Sequence, residues 1–173
     1  HLSLRRQRQM CIRDRLHRKD LRLDPEAEMF LYMAARAQLV REVIQPALAE
    51  GHWVISDRFL MSNIVYQGHA GGLDIDAVRK IGEIATCNIK PDLTLILDID
   101  PDTASARMDR PLDRLESRGD TYREKVRNGY HSESQSQNTI LIDATANVEE
   151  VQSQVITTVQ SLCADSLDCS LEN

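Results

Sequence analysis

Residues 51–68 read Gly51-His52-Trp53-Val54-Ile55-Ser56-Asp57-Arg58-Phe59-Leu60-Met61-Ser62-Asn63-Ile64-Val65-Tyr66-Gln67-Gly68. Gly51 is a helix stop. Trp53-Val54-Ile55 is aromatic and β-branched without polar interruption, the composition of a buried strand in a parallel sheet. That run ends abruptly on Ser56-Asp57-Arg58. In open α/β sheets the ligand crevice lies at the carboxyl ends of the strands. There an arginine offers a planar fork of donors that matches phosphate, and an aspartate can hold Mg²⁺ or its waters. The plainer account is a surface salt bridge at a strand end, which contributes little. Asn63, Tyr66, Gln67 and Gly68 then place polar or special residues on the next segment, before a His69-Ala70-Gly71-Gly72 loop.

Outward from this stretch the pattern predicts helices alternating with strands. Asp24-Pro25-Glu26 is a helix start, with an N-cap, a proline in the first turn and acid near the positive end. Met29, Tyr32, Met33, Arg36, Leu39, Val40, Val43 and Ile44 follow at helical spacing. Pro46 kinks or restarts that helix. Tyr32 and Arg36 are four apart and share a face. An arginine on an otherwise apolar face is either an ion-paired core residue or a ligand contact. Downstream, Leu73-Asp74 leads into a helix with Ile75, Val78, Ile81 and Ile84 or Ala85 inward, broken by Asn88 and Pro91. Leu93 to Leu97 reads as the next strand, and a short helix covers Asp102 to Met108. Thr139 to Asp143 is a third strand. Asn147 with Glu150 starts a final amphipathic helix carrying Val148, Val151, Val155, Val159 and Leu162. Strands separated by helices of this length are β-α-β units, and the class is α/β with a parallel sheet flanked by helices.

Bulk properties narrow the function. A chain of 173 residues suffices for one domain with a core. No apolar run approaches the ~20 residues of a membrane span. Cysteines 11, 87, 163 and 169 have no metal-site or redox-motif spacing, so reduced thiols and a cytoplasmic location are expected. The net charge of −6 hides an asymmetry: residues 1–22 hold eight of the 21 Lys and Arg, against two of the 27 Asp and Glu. The acidic remainder does not suit nucleic-acid duplex binding, and 4% aromatics do not build a stacking platform for single strands. Residues 1–16 show no secondary-structure period, and the run RQRQMCIRDR within them resembles translated sequencing-adapter read-through. They are set aside as a non-native or disordered basic arm. Residues 17–164 form the expected domain and 165–173 a polar tail.

Asp57-Arg58-Phe59, Ser62-Asn63 and Tyr66-Gln67-Gly68 together resemble the central signature of thymidylate kinases. Phe30 to Gln38 resembles that family's thymine-binding helix, and Lys90-Pro91-Asp92 with the following strand resembles its next core strand. The resemblance implies a P-loop nucleoside monophosphate kinase-like sheet and transfer of the ATP γ-phosphoryl group to dTMP, with Mg²⁺, giving dTDP. It further implies that Arg36 and Asn63 read thymine, Tyr32 stacks on it, and Tyr66 lies under the sugar with Gln67 beside it. Arg58 holds the acceptor phosphate, and Asp57 supports Mg²⁺ and the phosphates. A homodimer through the helices at 26–45 and 74–86 is the family expectation.

Residues 107–127 interleave seven Arg and Lys with five acids. Composition reads this as a solvated face of i,i+4 pairs. The string Asp113-Arg114-Leu115-Glu116 resembles the family's lid, which implies phosphate-facing roles for Arg110, Arg114 and Arg118 and a substrate-side role for Asp113 and Glu116. Asp143-Ala144-Thr145 resembles the loop near adenine. One part is missing: no G-x-x-x-x-G-K-[ST] occurs in the chain, although that motif holds the ATP phosphates. The expectation is a thymidylate kinase-like chain lacking its first strands and P-loop, inactive as it stands. The alternatives are a deoxynucleoside kinase-like enzyme and a non-catalytic nucleotide-binding remnant.

Overall fold

A computed structural model describes residues 23–108, 115–136 and 138–168. The basic arm, Arg110, Asp113 and Arg114 lie outside the described residues, as do the side chains of Glu116 and of 165–168. The chain divides into two compact units.

The first unit holds residues 23–90 and 115–129. Helix α1, Pro25–Leu39, begins where the sequence predicts, with Asp24 extended at the N-cap and Glu26 and Glu28 in the first turn. It runs into a wide π turn, Val40–Ile44, and then α2, Gln45–Ala49. Pro46 sits in the first turn of α2, so it restarts the helix rather than breaking it. Gly51 then takes φ +77°. A second short helix, α3, Leu60–Asn63, runs into another π turn, Ile64–His69, in which the Ala70 amide donates to the Val65 carbonyl at 2.9 Å. Helix α4, Ile75–Ala85, is capped by Asp74, whose Oδ1 accepts from the amides of Asp76 and Ala77. Met29 and Met33 of α1 pack with Ile64, Val78 and Ala85 to form the core, with Leu60, Ile75 and Ile81 around them. Ala85 turns inward and Ile84 faces out.

The strand expected at Trp53-Val54-Ile55 is not formed. Trp53 is 73% exposed and Ile55 96%. A strand exists through its ladder, and among the described residues this segment has no neighbour with which to exchange N–H···O bonds.

The second unit holds described residues 91–108 and 130–168. Strands β1, Thr94–Asp98, and β2, Thr139–Asp143, pair in parallel from Thr94 opposite Thr139 to Asp98 opposite Asp143. The strand at 139–143 falls on the predicted residues, and the other is shifted by one. Among the described residues the sheet thus has two strands, not the three expected. Helix α5, Pro101–Ala106, is capped by Asp100, which accepts from the Thr103 amide at 2.8 Å. After α6, Asp120–Glu133, whose first ten residues belong to the first unit, α7 runs Val148–Asp168. Asn147 Oδ1 accepts from the Glu150 amide at 2.9 Å, as its spacing predicts. No helix among the described residues is long and apolar enough to cross a membrane.

Candidate functional site

The first unit gathers most of the predicted acceptor residues. Arg36 projects from the last turns of α1. Its Nε and Nη2 both donate to Asn63 Oδ1, at 3.1 and 2.8 Å. Its guanidinium also lies 4.9 Å from the centre of the Phe59 ring. Among the described residues Arg36 makes no ion pair; its hydrogen-bond acceptor is a neutral amide. Burial pulls its pKa down from the ordinary arginine value to about 10. The charge is retained at neutral pH, and no carboxylate among the described residues touches it. Of the two readings open for an arginine on this face, the ion-paired core residue is therefore the one the geometry does not support.

Asn63 hands the bonding inward. Its Nδ2 donates to Gln67 Oε1 at 3.2 Å, and Gln67 Nε2 donates to Glu28 Oε1 at 3.1 Å. Asn63 is 3% exposed and Gln67 and Glu28 2% each. Glu28 Oε2 accepts from Arg118 Nη2 at 3.0 Å. Gln67 thus engages both ends of its amide within the protein. Buried polar groups need partners, and this relay links a carboxylate, two amides and two guanidinium groups in one line.

Arg118 differs from Arg36 in having a carboxylate partner. Its side chain is 33% exposed, and its guanidinium lies 5.0 Å from the centre of the Tyr122 ring. Tyr122 is buried. Its hydroxyl donates to the Tyr66 carbonyl at 3.1 Å, and the two rings meet edge to face with centroids 6.5 Å apart. Burial raises the Tyr122 phenol to about 12, against the opposing pull of Arg118. On the other side, the Arg58 guanidinium lies 5.0 Å from the Tyr66 ring centre. Arg58 is exposed, beside an exposed Asp57, and takes φ +71°. Ser56 Oγ donates to the Arg58 carbonyl at 3.0 Å across this turn. Tyr32 is half-buried on α1, one turn before Arg36. Gly71 makes the loop beyond Gln67 possible: a Cβ there would stand 2.5 Å from the Gln67 carbonyl oxygen and 2.8 Å from that of Tyr66.

Two members of this site escape sequence reasoning. By sequence Glu28 is only a first-turn acid and Tyr122 only a helix residue. The available signal for Glu28 is a carboxylate two turns before Arg36, immediately before Met29, which opens the apolar face.

In the second unit, the Asp143-Ala144-Thr145 turn is tightly built. Asp143 Oδ1 accepts from the Thr145 hydroxyl at 2.6 Å and its amide at 2.8 Å, and these bonds hold the carboxyl below its ordinary range. Arg107 donates to the carbonyls of Ala144, Thr145 and Ala146 at 2.6, 2.5 and 3.3 Å.

The family model described as thymidylate kinase matches residues 9–155. A thymidylate kinase of Exiguobacterium sp. is 42% identical over 138 residues, covering 78% of this chain and 65% of that protein. The thymidylate kinase of Kosmotoga olearia is 40% identical over 149 residues, covering 84% and 72%. That of Thermoanaerobacter sp. strain X514 is 48% identical over 120 residues, covering 69% and 59%. The chain thus spans less than two thirds of the first and third of these relatives.

Proposed function

The chain belongs to the thymidylate kinase family, and from that premise we propose that it carries the acceptor side of a dTMP kinase, which transfers the γ-phosphoryl group of ATP to dTMP to give dTDP. The observation that carries this reading is Arg36: a half-buried guanidinium, protonated, bonded to an amide and, among the described residues, to no carboxylate. Such a group still has donor capacity and uncompensated charge to offer a carbonyl of a pyrimidine base. Tyr32, on the same face, supplies a ring for the base to stack on, and Tyr66 supports the sugar. Arg58 stands at an exposed turn where its fork meets the acceptor phosphate.

Mg²⁺, when bound, neutralises charge on the phosphates. Asp57, exposed beside Arg58, is of the kind that holds it, since Mg²⁺ takes one or two carboxylates and fills its remaining positions with phosphate and water. Asp143 and Ala144 are proposed neighbours of adenine, their turn kept rigid by Arg107. Arg118 contributes from the residues after the lid-like string, with Arg110 and Arg114 facing phosphate and Asp113 and Glu116 on the substrate side. Exposed Phe30, Val43 and Ile84 on the first unit's helices suit a homodimer, and a cytoplasmic location accords with a nucleotide-synthesising role. The chain's 173 residues contain no P-loop motif, which favours, as a second reading, a nucleotide-binding chain that does not itself turn over.

Calorimetric titration of the chain with dTMP and with dCMP tests the acceptor reading. Arg36→Ala should weaken dTMP binding by about 1–3 kcal/mol, the cost of leaving a buried polar partner unpaired, and dCMP binding by less. Equal losses for both nucleotides would make Arg36 a structural residue and remove the main support for the reading.

A further inference from the structure

We propose that Glu28 is a positioning residue for base selection: it pins the buried end of the line through Gln67 and Asn63, and thereby steadies the direction in which Arg36 presents its donors. This rests on the acceptor-site reading above and extends it to a residue that touches no ligand.

The inference follows from what each group can donate or accept. An ionised carboxylate only accepts, and a guanidinium only donates. Between Glu28 and Arg36 lie two amides, Gln67 and Asn63, each with one donating and one accepting end. Glu28 compels Gln67 to present Nε2, at 3.1 Å. Gln67 Oε1 must then face Asn63, which presents Nδ2 at 3.2 Å. Asn63 Oδ1 is left to face Arg36, and accepts from both Nε and Nη2. Every donor in the line points toward Glu28, so successive bonds polarise one another in the same sense. Burial keeps water from substituting for any link, with Glu28, Gln67 and Asn63 all nearly inaccessible.

The consequence lies at the far end. With Nε and Nη2 committed to Asn63, the rotation of the guanidinium is set. Arg36 makes no further hydrogen bond among the described residues, so its remaining terminal nitrogen, Nη1, is held as a donor in one direction. A fixed donor bonds to a ring carbonyl, which accepts from it, and rejects an amino group at the same ring position, because the mismatch leaves donors unpaired. Remove the anionic end and Gln67 Nε2 is left buried without its acceptor: Arg36 still turns the Asn63 oxygen toward itself, but the line is no longer pinned at its far end. Asn63 then loses its second partner, and Arg36 loses its rigid acceptor. Discrimination falls before affinity as a whole does.

Glu28 also carries Arg118 on its other oxygen, so variants are needed that separate the two arms. Glu28→Met removes both acceptors at similar size. Glu28→Gln keeps an oxygen able to accept from Gln67 but opposes Arg118 with a donor. Gln67→Leu cuts the relay while leaving the pair of Glu28 and Arg118 in place.

The readout is the ratio of dTMP to dCMP affinity of the chain, by calorimetry. Glu28→Met and Gln67→Leu should each reduce that ratio by about tenfold or more, and Glu28→Gln should restore most of it. Should Glu28→Met fail to fold, as judged by circular dichroism, Gln67→Leu against Glu28→Gln carries the test. The proposal is overturned if folded relay variants lose affinity for both nucleotides by one factor, or if Glu28→Gln is as damaging as Glu28→Met. Arg36→Ala separates the two levels. If it collapses the ratio while the relay variants do not, the acceptor reading stands and Glu28 is merely structural. If it leaves the ratio unchanged, the acceptor reading falls and this proposal with it.

Discussion

Two arginines of the first unit have opposite electrostatic settings. Arg118 meets a carboxylate and Arg36 an amide, a difference invisible in a list of basic residues. Arg58 is a third kind. Its φ of +71° lies where a side chain is strained by about 1–3 kcal/mol, and such strain persists where the residue is wanted for something else. The Ser56 hydroxyl and the Tyr66 ring offset part of it. Glycine adopts this conformation without the penalty. Arg58→Gly should therefore leave stability to urea unchanged or raise it by about 1 kcal/mol, while weakening dTMP binding by about tenfold or more through loss of the phosphate fork. Urea unfolding and a dTMP titration on the same preparation check both halves. A loss of stability with no loss of binding would assign Arg58 to the fold.

At the scale of elements, the contact of α6 with the Ile64–His69 turn carries Tyr122 to Tyr66. It depends on Gly129. A Cβ there would come within 2.8 Å of His69 Cβ and 3.1 Å of a methyl of the fully buried Val65. Neither atom can rotate away, since one is fixed to the backbone and the other is packed on all sides. Alanine gains about 1 kcal/mol of helix propensity over glycine, but overpacking costs about 1–3 kcal/mol. The clash should win: Gly129→Ala is expected to lower the midpoint of thermal unfolding, and a rise would show that the two elements can part without cost.

The same elements show how far the chain could be read from its residues. Caps were partly legible because a cap and its target are close in sequence: Asn147 caps where predicted, whereas Asp24 stands at its predicted N-cap without a side-chain cap bond. The strand at Thr139–Asp143 was legible from its unbroken apolar run. The two π turns were not, because an inserted residue leaves the apolar spacing nearly helical. Trp53-Val54-Ile55 has strand composition, but composition cannot supply a partner. At the candidate site, the family signature singles out Arg36 and Asn63, and the fold brings them together. Glu28 was not legible, since it meets Gln67 across 39 residues and Arg118 across 90. Only tertiary packing turns a first-turn glutamate into the anchor of a relay.

For the whole molecule, the unformed strand has a measurable consequence. The chain contains one tryptophan, and Trp53 lies within the exposed run, next but one to Ile55. In the second unit, Leu97, Ile140 and Leu141 are exposed as well, on a sheet that has two strands among the described residues. Two strands alone are marginal, and unpaired edges beside apolar side chains invite association. Covering apolar surface contributes about 25 cal/mol per Å², so the drive toward contact between copies grows with concentration. Tryptophan emission should be red and readily quenched by acrylamide in dilute solution. As concentration rises, it should move to the blue while light scattering reports a rising mass. Blue, quencher-resistant emission at the lowest concentration would mean that Trp53 is covered within a single chain. Red emission at constant mass throughout would mean that the exposed strand segment and the short sheet are tolerated without association, and would remove the edge argument for this chain.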